Sequence, residues 1–214
     1  MQKVFSAVDL AQLDKYYRIN LINALPGFRG ANLIGSISEA GQTNLAIFSS
    51  VTHIGSHPPL LGFVTRPLVE GSRHTYANVK ATRQFTINHV PYPLTAQAHQ
   101  TSARYPAEVS EFDACGFTPV FSDNLKAPYV AESAIQIGLT VVDEIPIPLN
   151  QTLLVIGAVV EIRIQEHLLR EDGFVQLDQA NSAAVAGLDG YTQPSTFVRY
   201  AYAKPDQPTQ RIDS

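Results

Sequence analysis

The residues of this chain best suited to chemistry fall between Thr43 and Asn78. A strand-like stretch, Thr43-Asn44-Leu45-Ala46-Ile47-Phe48, runs into the small hydroxyl series Ser49-Ser50-Val51-Thr52. Arg66 follows, and then Arg73-His74-Thr75 stands where a helix should begin. Small residues let a flat ring approach the backbone closely. Arg, Thr and helix-terminal N–H groups suit a phosphate. A ring next to a phosphate site predicts a nucleotide-like cofactor.

Each of these residues also has a plainer use. Ser and Thr at a strand end usually satisfy local backbone groups. An Arg after a buried strand commonly pairs with a surface carboxylate, which contributes little, although its planar guanidinium is equally well shaped to clamp a phosphate. Ser72 or Thr75 can simply cap the helix. The same N-terminus offers free N–H groups and a partial positive charge to an anion, so the two uses are compatible. Taken with Asn44 and the downstream cluster, the hydroxyl run reads better as a cofactor site.

Other chemistries have weaker support. His53 and His57 are four apart, but Gly55 and Pro58-Pro59 work against a shared helical face. His89, His99 and His167 are scattered, and no Cys/His grouping has zinc spacing. Cys115 has no base beside it and reads as a packed thiol. A Ser–His–Asp triad can assemble across a fold and stays open, although no Gly-x-Ser-x-Gly elbow is present.

The elements that must position these residues read as mostly strands. Leu10, Leu13, Tyr17, Leu21 and Ala24 recur at helical spacing, with Ser6 or Asp9 to cap the start and Pro26-Gly27 to end it. Residues 31–38 and 43–49 read as a hairpin turned at Glu39-Ala40-Gly41-Gln42. Further strands are expected over 60–65, 85–90, 130–142, 152–165 and 196–202, and helices over 74–81 and 94–104. The span from Tyr105 to Tyr129 reads as a long surface excursion, of the kind that often carries function. Val160, Ile162 and Ile164 alternate with Glu161, Arg163 and Gln165, so one face of that strand should meet water. Many strands, few helices and hairpin spacing favour an antiparallel barrel, and no Gly-x-Gly-x-x-Gly run supports a Rossmann fold.

Composition bounds the rest. At 214 residues the chain fits one domain, taken as 1–204, with a frayed tail over 205–214. It is 45% hydrophobic and 16% charged, which argues against disorder outside the ends. A net charge of -4 with no Lys/Arg cluster argues against nucleic acid. One cysteine excludes an internal disulfide and fits a reducing cytoplasm, and the N-terminus has no signal-peptide pattern. The longest apolar run, Leu153 to Val160, is far short of the roughly 20 residues that span a bilayer. The low charge makes a homodimer plausible, because one protomer could leave apolar surface to cover.

The pieces also follow a recognisable order. Asn44-Leu45-Ala46, Ser49-Ser50, Pro58-Pro59 and Leu60 to Val64 come first, then Thr75, Asn78 and Phe85-Thr86-Ile87-Asn88. Tyr105-Pro106, Ser110-Glu111-Phe112, Gly116-Phe117, Lys126-Ala127-Pro128, Glu132-Ser133 and Gly187 to Tyr191 complete the series. From about Asn32 to Tyr191 this resembles the flavin reductase-like family of FMN-binding split barrels. Two places depart from the family pattern. Arg73-His74 stands where many members have Lys-Asp, and Gly138-Leu139 where many have Glu-Cys.

The resemblance implies a mainly β, antiparallel split β-barrel with a few peripheral helices. It implies FMN held by Asn44, Phe48, Ser49, Ser50, Val51, Thr52, Arg66, Arg73, His74, Thr75, Asn78, Gly187 and Tyr191, near the interface of a homodimer. NADH or NADPH would reduce the flavin, with no catalytic side chain required, because the protein's share is to align nicotinamide C4 with flavin N5. The flavin and nicotinamide are the small-molecule partners, and an electron-acceptor protein or a monooxygenase is compatible with the resemblance without being indicated by it. Two alternatives stay open: an electron carrier similar to the flavoredoxins, and a flavin-free split barrel that binds a small molecule or haem.

Overall fold

Two short helices, α1 (Ala7–Gln12) and α2 (Lys15–Ala24), precede the first strand, and neither buries a residue. Ser6 caps α1 in a reciprocal box with Asp9. The periodicity of the sequence predicts one helix here, and the structure breaks it at Asp14. That carboxylate accepts the Tyr16 and Tyr17 N–H groups at 2.9 and 3.0 Å and so starts a second helix. The computed structural model describes residues 1–66 and 74–212, and Arg73, with Ser72, lies outside the described residues.

After β1 (Arg29–Gly30) the expected hairpin forms from β2 (Asn32–Ile37) and β3 (Thr43–Phe48). Gly41 turns it with φ at 87°, a conformation strained for any residue with a Cβ. A second hairpin, β4 (Thr52–Ser56) with β5 (Pro59–Thr65), is only half expected. Its first strand is exposed on both faces and carries no apolar alternation, so nothing in the sequence marks it. Helix α3 (His74–Thr82) leads to β6 (Gln84–His89). A single 3-10 turn over Tyr92–Leu94 and helix α4 (Thr95–Gln100) replace the longer helix expected over 94–104.

The 105–129 excursion is less irregular than the sequence suggests. It holds α5 (Glu111–Cys115), closed by Gly116 in the left-handed region, and β7 (Pro119–Val120), which pairs with β8 (Tyr129–Val130). The strand expected over 130–142 is divided. A turn bonded from Ser133 N–H to the Val130 carbonyl separates β8 from β9 (Ile135–Ile147). The partner of β9, β10 (Thr152–Ile164), falls where expected. β11 (Ala184–Ala186) and β12 (Gly190–Thr192) follow. Of the strand expected over 196–202 only β13 (Arg199–Tyr200) forms, and the tail returns to pair with it as β14 (Arg211–Ile212).

Seven strands make the main sheet, in the order β3-β2-β6-β9-β10-β5-β4, with every neighbour antiparallel. The small sheet β1-β11-β12 lies beside it. The result is the mainly β, antiparallel split barrel with peripheral helices. Among the described residues, no helix is long and apolar enough to cross a membrane.

Alternation along the strands sends neighbours to opposite faces and so divides the core. Ile34, Phe85 and Ile87 pack with Phe63 and with Tyr76 and Val79 of α3. Leu33 and Leu45 pack on the other side with Ala98 of α4 and Phe112 and Cys115 of α5. At Gly138 a Cβ would meet a Leu125 methyl and the Tyr129 hydroxyl. The ring of Tyr129 is wholly buried and fills that place instead.

Candidate functional site: a cavity on the free edge of β3

Among the described residues β3 ends the main sheet, so one side of its backbone has no strand partner there. Leu45 shows which residues face that side, because its N–H donates to Glu111 Oε2 at 3.0 Å rather than to β2. Hydrogen bonding alternates along an antiparallel strand. Thr43, Leu45 and Ile47 therefore turn their N–H and C=O groups to the free edge, and Asn44, Ala46 and Phe48 turn theirs inward. The Thr43 and Ser110 hydroxyls, 2.7 Å apart, join Glu111 in docking the start of α5 on this strand.

A cavity of about 480 Å³ lies along the edge. Its walls are Asn44 and Ala46 to Ser50 from β3 and beyond, Val64 to Arg66 at the end of β5, and His74 to Tyr76 at the start of α3. Thr101 to Tyr105 after α4, Glu111, and Asn23, Arg29 and Leu188 complete it. The edge strand is thus wrapped from both faces, by α3 on one and by the α4–α5 region on the other.

Asn44, Phe48, Ser49, Ser50, Arg66, His74 and Thr75, all singled out from sequence, meet in this cavity. Asn44 donates to Thr75 Oγ1 at 3.0 Å. Phe48 stacks edge-on against Phe63, which meets Phe85 in the same way, so this wall is anchored in the core. The Ser50 hydroxyl donates to the Val64 carbonyl at 2.9 Å and accepts the Val64 N–H at 3.2 Å. With Thr52 opposite Gly62 in the β4–β5 register, the Ser50 side chain extends that ladder by two residues in place of backbone.

The other sequence choices among the described residues do not line the cavity. Val51 packs against the Phe63 core cluster, and Thr52 is exposed on β4. Asn78, one helical turn past Thr75, donates to Ser36 Oγ at 3.3 Å and ties α3 to β2. Gly187 precedes the lining residue Leu188, and its carbonyl accepts from Arg29 Nη2 at 2.9 Å. Tyr191 meets His99 instead, with its hydroxyl 2.9 Å from Nδ1.

Sequence reasoning missed Arg29, Arg104, Ser102 and Tyr76 as lining residues, and placed Glu111 only within a motif. Arg66 and Arg104 are exposed, and neither side chain makes a hydrogen bond or ion pair among the described residues. Arg29 Nη2 donates to the Asn23 and Gly187 carbonyls at 2.9 Å each, while its Nε is buried without a partner. Glu111 is 5% exposed. Burial pushes its carboxyl above the ordinary range, against the opposing pull of the Leu45 N–H, its own N–H and the charge of His74. Such an arrangement can hold a planar group against strand backbone with an anion at its Arg66–His74 end. Among the described residues, no group of three or more His, Cys, Asp or Glu side chains could hold a metal ion.

Comparison with known proteins gives the chain its family. The model of the flavin reductase like domain matches residues 28–182. A candidate flavin reductase with split barrel domain from Shewanella frigidimarina NCIMB 400 is 39% identical, with 94% of this chain and 100% of that one covered and a TM-score of 0.89. Nitrilotriacetate monooxygenase component B from Bacillus cereus is 19% identical, with 92% and 98% covered and a TM-score of 0.81. The 2-nitrobenzoate 2-nitroreductase NbaA from Pseudomonas fluorescens is 21% identical, with 96% and 98% covered and a TM-score of 0.80. At those identities the last two share the fold alone.

Proposed function

Because the chain belongs to the flavin reductase-like family of flavin oxidoreductases, we propose that it binds FMN along the free edge of β3 and that NADH or NADPH reduces the bound flavin. The observation that carries this reading is the meeting of Ser49, Ser50, Arg66, His74 and Thr75 in one cavity. Bound flavin supplies the hydride chemistry, and the chain supplies binding, orientation and electrostatics. The outward N–H group of Ile47 and those of Ser49 and Ser50, past the end of β3, donate to the ring's polar edge. Such donors favour the anionic reduced ring over the oxidised one. Arg66, His74 and the opening N–H groups of α3 take the phosphate, and Arg73 is assigned to the same group. Thr75 is held in place by Asn44.

A homodimer belongs to the same proposal. α1 and α2 bury no residue within the protomer, yet expose Val8, Tyr16, Tyr17 and Ile22. A second copy would cover such a face. A monooxygenase or another electron-acceptor protein fits as partner, since the Bacillus cereus relative in fold is component B of a monooxygenase. A reducing cytoplasm is the setting that this chemistry and the single cysteine suit.

One spectrum tests the reading. The purified protein should be yellow, or become so with FMN, and should bleach anaerobically with NADH or NADPH. A yellow protein that neither nicotinamide bleaches is an electron carrier instead. A protein that stays colourless with FMN is a flavin-free barrel.

A further inference from the structure

The cavity presents more cations than one phosphate monoester occupies. Arg66 and His74 line it from the end of β5 and the start of α3. The Nη2 of Arg29 is committed to two carbonyls. Arg104 remains, exposed, with no hydrogen bond or ion pair among the described residues. It reaches the cavity from the other side of the edge strand. α3 packs in the Ile34–Phe85 cluster, whereas α4 and α5, which flank Arg104 in the chain, pack in the Leu33–Leu45 cluster. The lining residues before it, Ser102 and Ala103, are small and exposed. Small residues leave room on the rim for a bulky group to pass.

We propose that Arg104 is the clamp for the diphosphate bridge of the nicotinamide dinucleotide, a second anion pole separate from the one that holds the FMN phosphate. The proposal rests on the flavin reading above. A resident cofactor suits the Arg66–His74 pole, set between two elements of the fold. A reductant that must arrive and leave at every turnover suits Arg104, an exposed side chain that has no helix N-terminus beside it to add to its hold, as the start of α3 adds to that of Arg66 and His74. The planar guanidinium can engage both phosphates of the bridge, which a lysine ammonium does less well. Since the bridge is common to NADH and NADPH, Arg104 sets affinity for both and does not choose between them.

The test uses the FMN-loaded protein in anaerobic stopped flow. Arg104→Ala should raise the NADH and NADPH concentrations needed for half-maximal bleaching by about ten- to a hundredfold, the scale of a lost charge-assisted bond. The limiting rate and the FMN dissociation constant should change less than about twofold, and Arg104→Lys should recover part of the loss. ADP should compete with NADH, and adenosine should not. An unchanged half-saturation, a loss confined to NADPH, or release of FMN from Arg104→Ala overturns the assignment. If the wild type is bleached by neither nicotinamide, the reductase reading fails on its own. Calorimetry then decides the pole separately: ADP bound by wild type and not by Arg104→Ala sustains it, and any other pattern removes it.

Discussion

Asn44 donates its side-chain N–H to the Thr75 hydroxyl at 3.0 Å, with both groups buried. This bond joins the edge strand to the first turn of α3, and so links the wall that would meet a ring to the end that would meet a phosphate. Asn44→Ala should lower stability to urea by about 1–2 kcal/mol and weaken FMN binding together with it. Asn44→Asp should bind FMN more weakly still, because it puts a carboxylate near the phosphate and cannot donate. An alanine variant with unchanged FMN affinity would detach this bond from the site.

Arg66 is exposed and forms no ion pair among the described residues, so little of its interaction is spent on the fold. Arg66→Ala should weaken FMN binding by roughly 1.5–3 kcal/mol and leave riboflavin affinity unchanged. Parallel titrations with the two flavins at fixed salt measure this. Equal loss for both removes the phosphate assignment.

Ser50 separates binding from stability. Its hydroxyl holds both the N–H and the C=O of Val64, so Ser50→Ala should cost about 1–3 kcal/mol of unfolding free energy. FMN affinity should stay close to wild type, because the backbone rather than the hydroxyl is assigned to the ring. Ser50→Leu should block binding by bulk. A leucine variant that binds FMN while the alanine variant does not would reverse the roles.

His89 sets an acid limit on stability. Burial pushes its imidazole from 6.5 down to about 4, and Nδ1 lies 3.1 Å from Ser182 Oγ. The folded protein therefore disfavours the charged form. As pH falls below 6.5 the unfolded chain takes up a proton that the folded one refuses until about 4. Stability present above 6.5 should fall through that window by on the order of 2–3 kcal/mol. Urea midpoints for wild type and His89→Asn at pH 7 and pH 4.5 check this. The variant should lose less between them.

Much of the frame was legible because its signals are local. Gly41 between two alternating strands marks a hairpin, and the apolar stretch over 152–165 marks a long strand. Asp14 was missed because a helix start inside a continuous apolar period is visible only once the carboxylate is seen to take two N–H groups. β4 was missed because a strand exposed on both faces has no pattern to read. In the site, Arg66, His74 and Thr75 could be assembled from sequence because β5 and α3 are nearly consecutive. Arg29 and Arg104 could not: pairing of β1 with the distant β11 places Arg29, and packing of α4 and α5 on the far face of β3 brings the segment of Arg104 to the same edge. Glu111 lay in a motif, but only its bond to Leu45 shows it closing a strand edge.

Gly138 and Tyr129 contend for one volume. The phenol reaching in from β8 occupies the space that a side chain rooted on β9 would need, with Leu125 crowding the same point. A substitution at 138 is therefore an exchange between two strands rather than a local change. Gly138→Ala alone should be poorly tolerated, and reopening the position takes truncation of both Leu125 and Tyr129, because a Leu125 methyl lies as close to the added carbon as the phenol does. Enlargement at 138 therefore has a preferred order of steps, with residues 125 and 129 changing before residue 138.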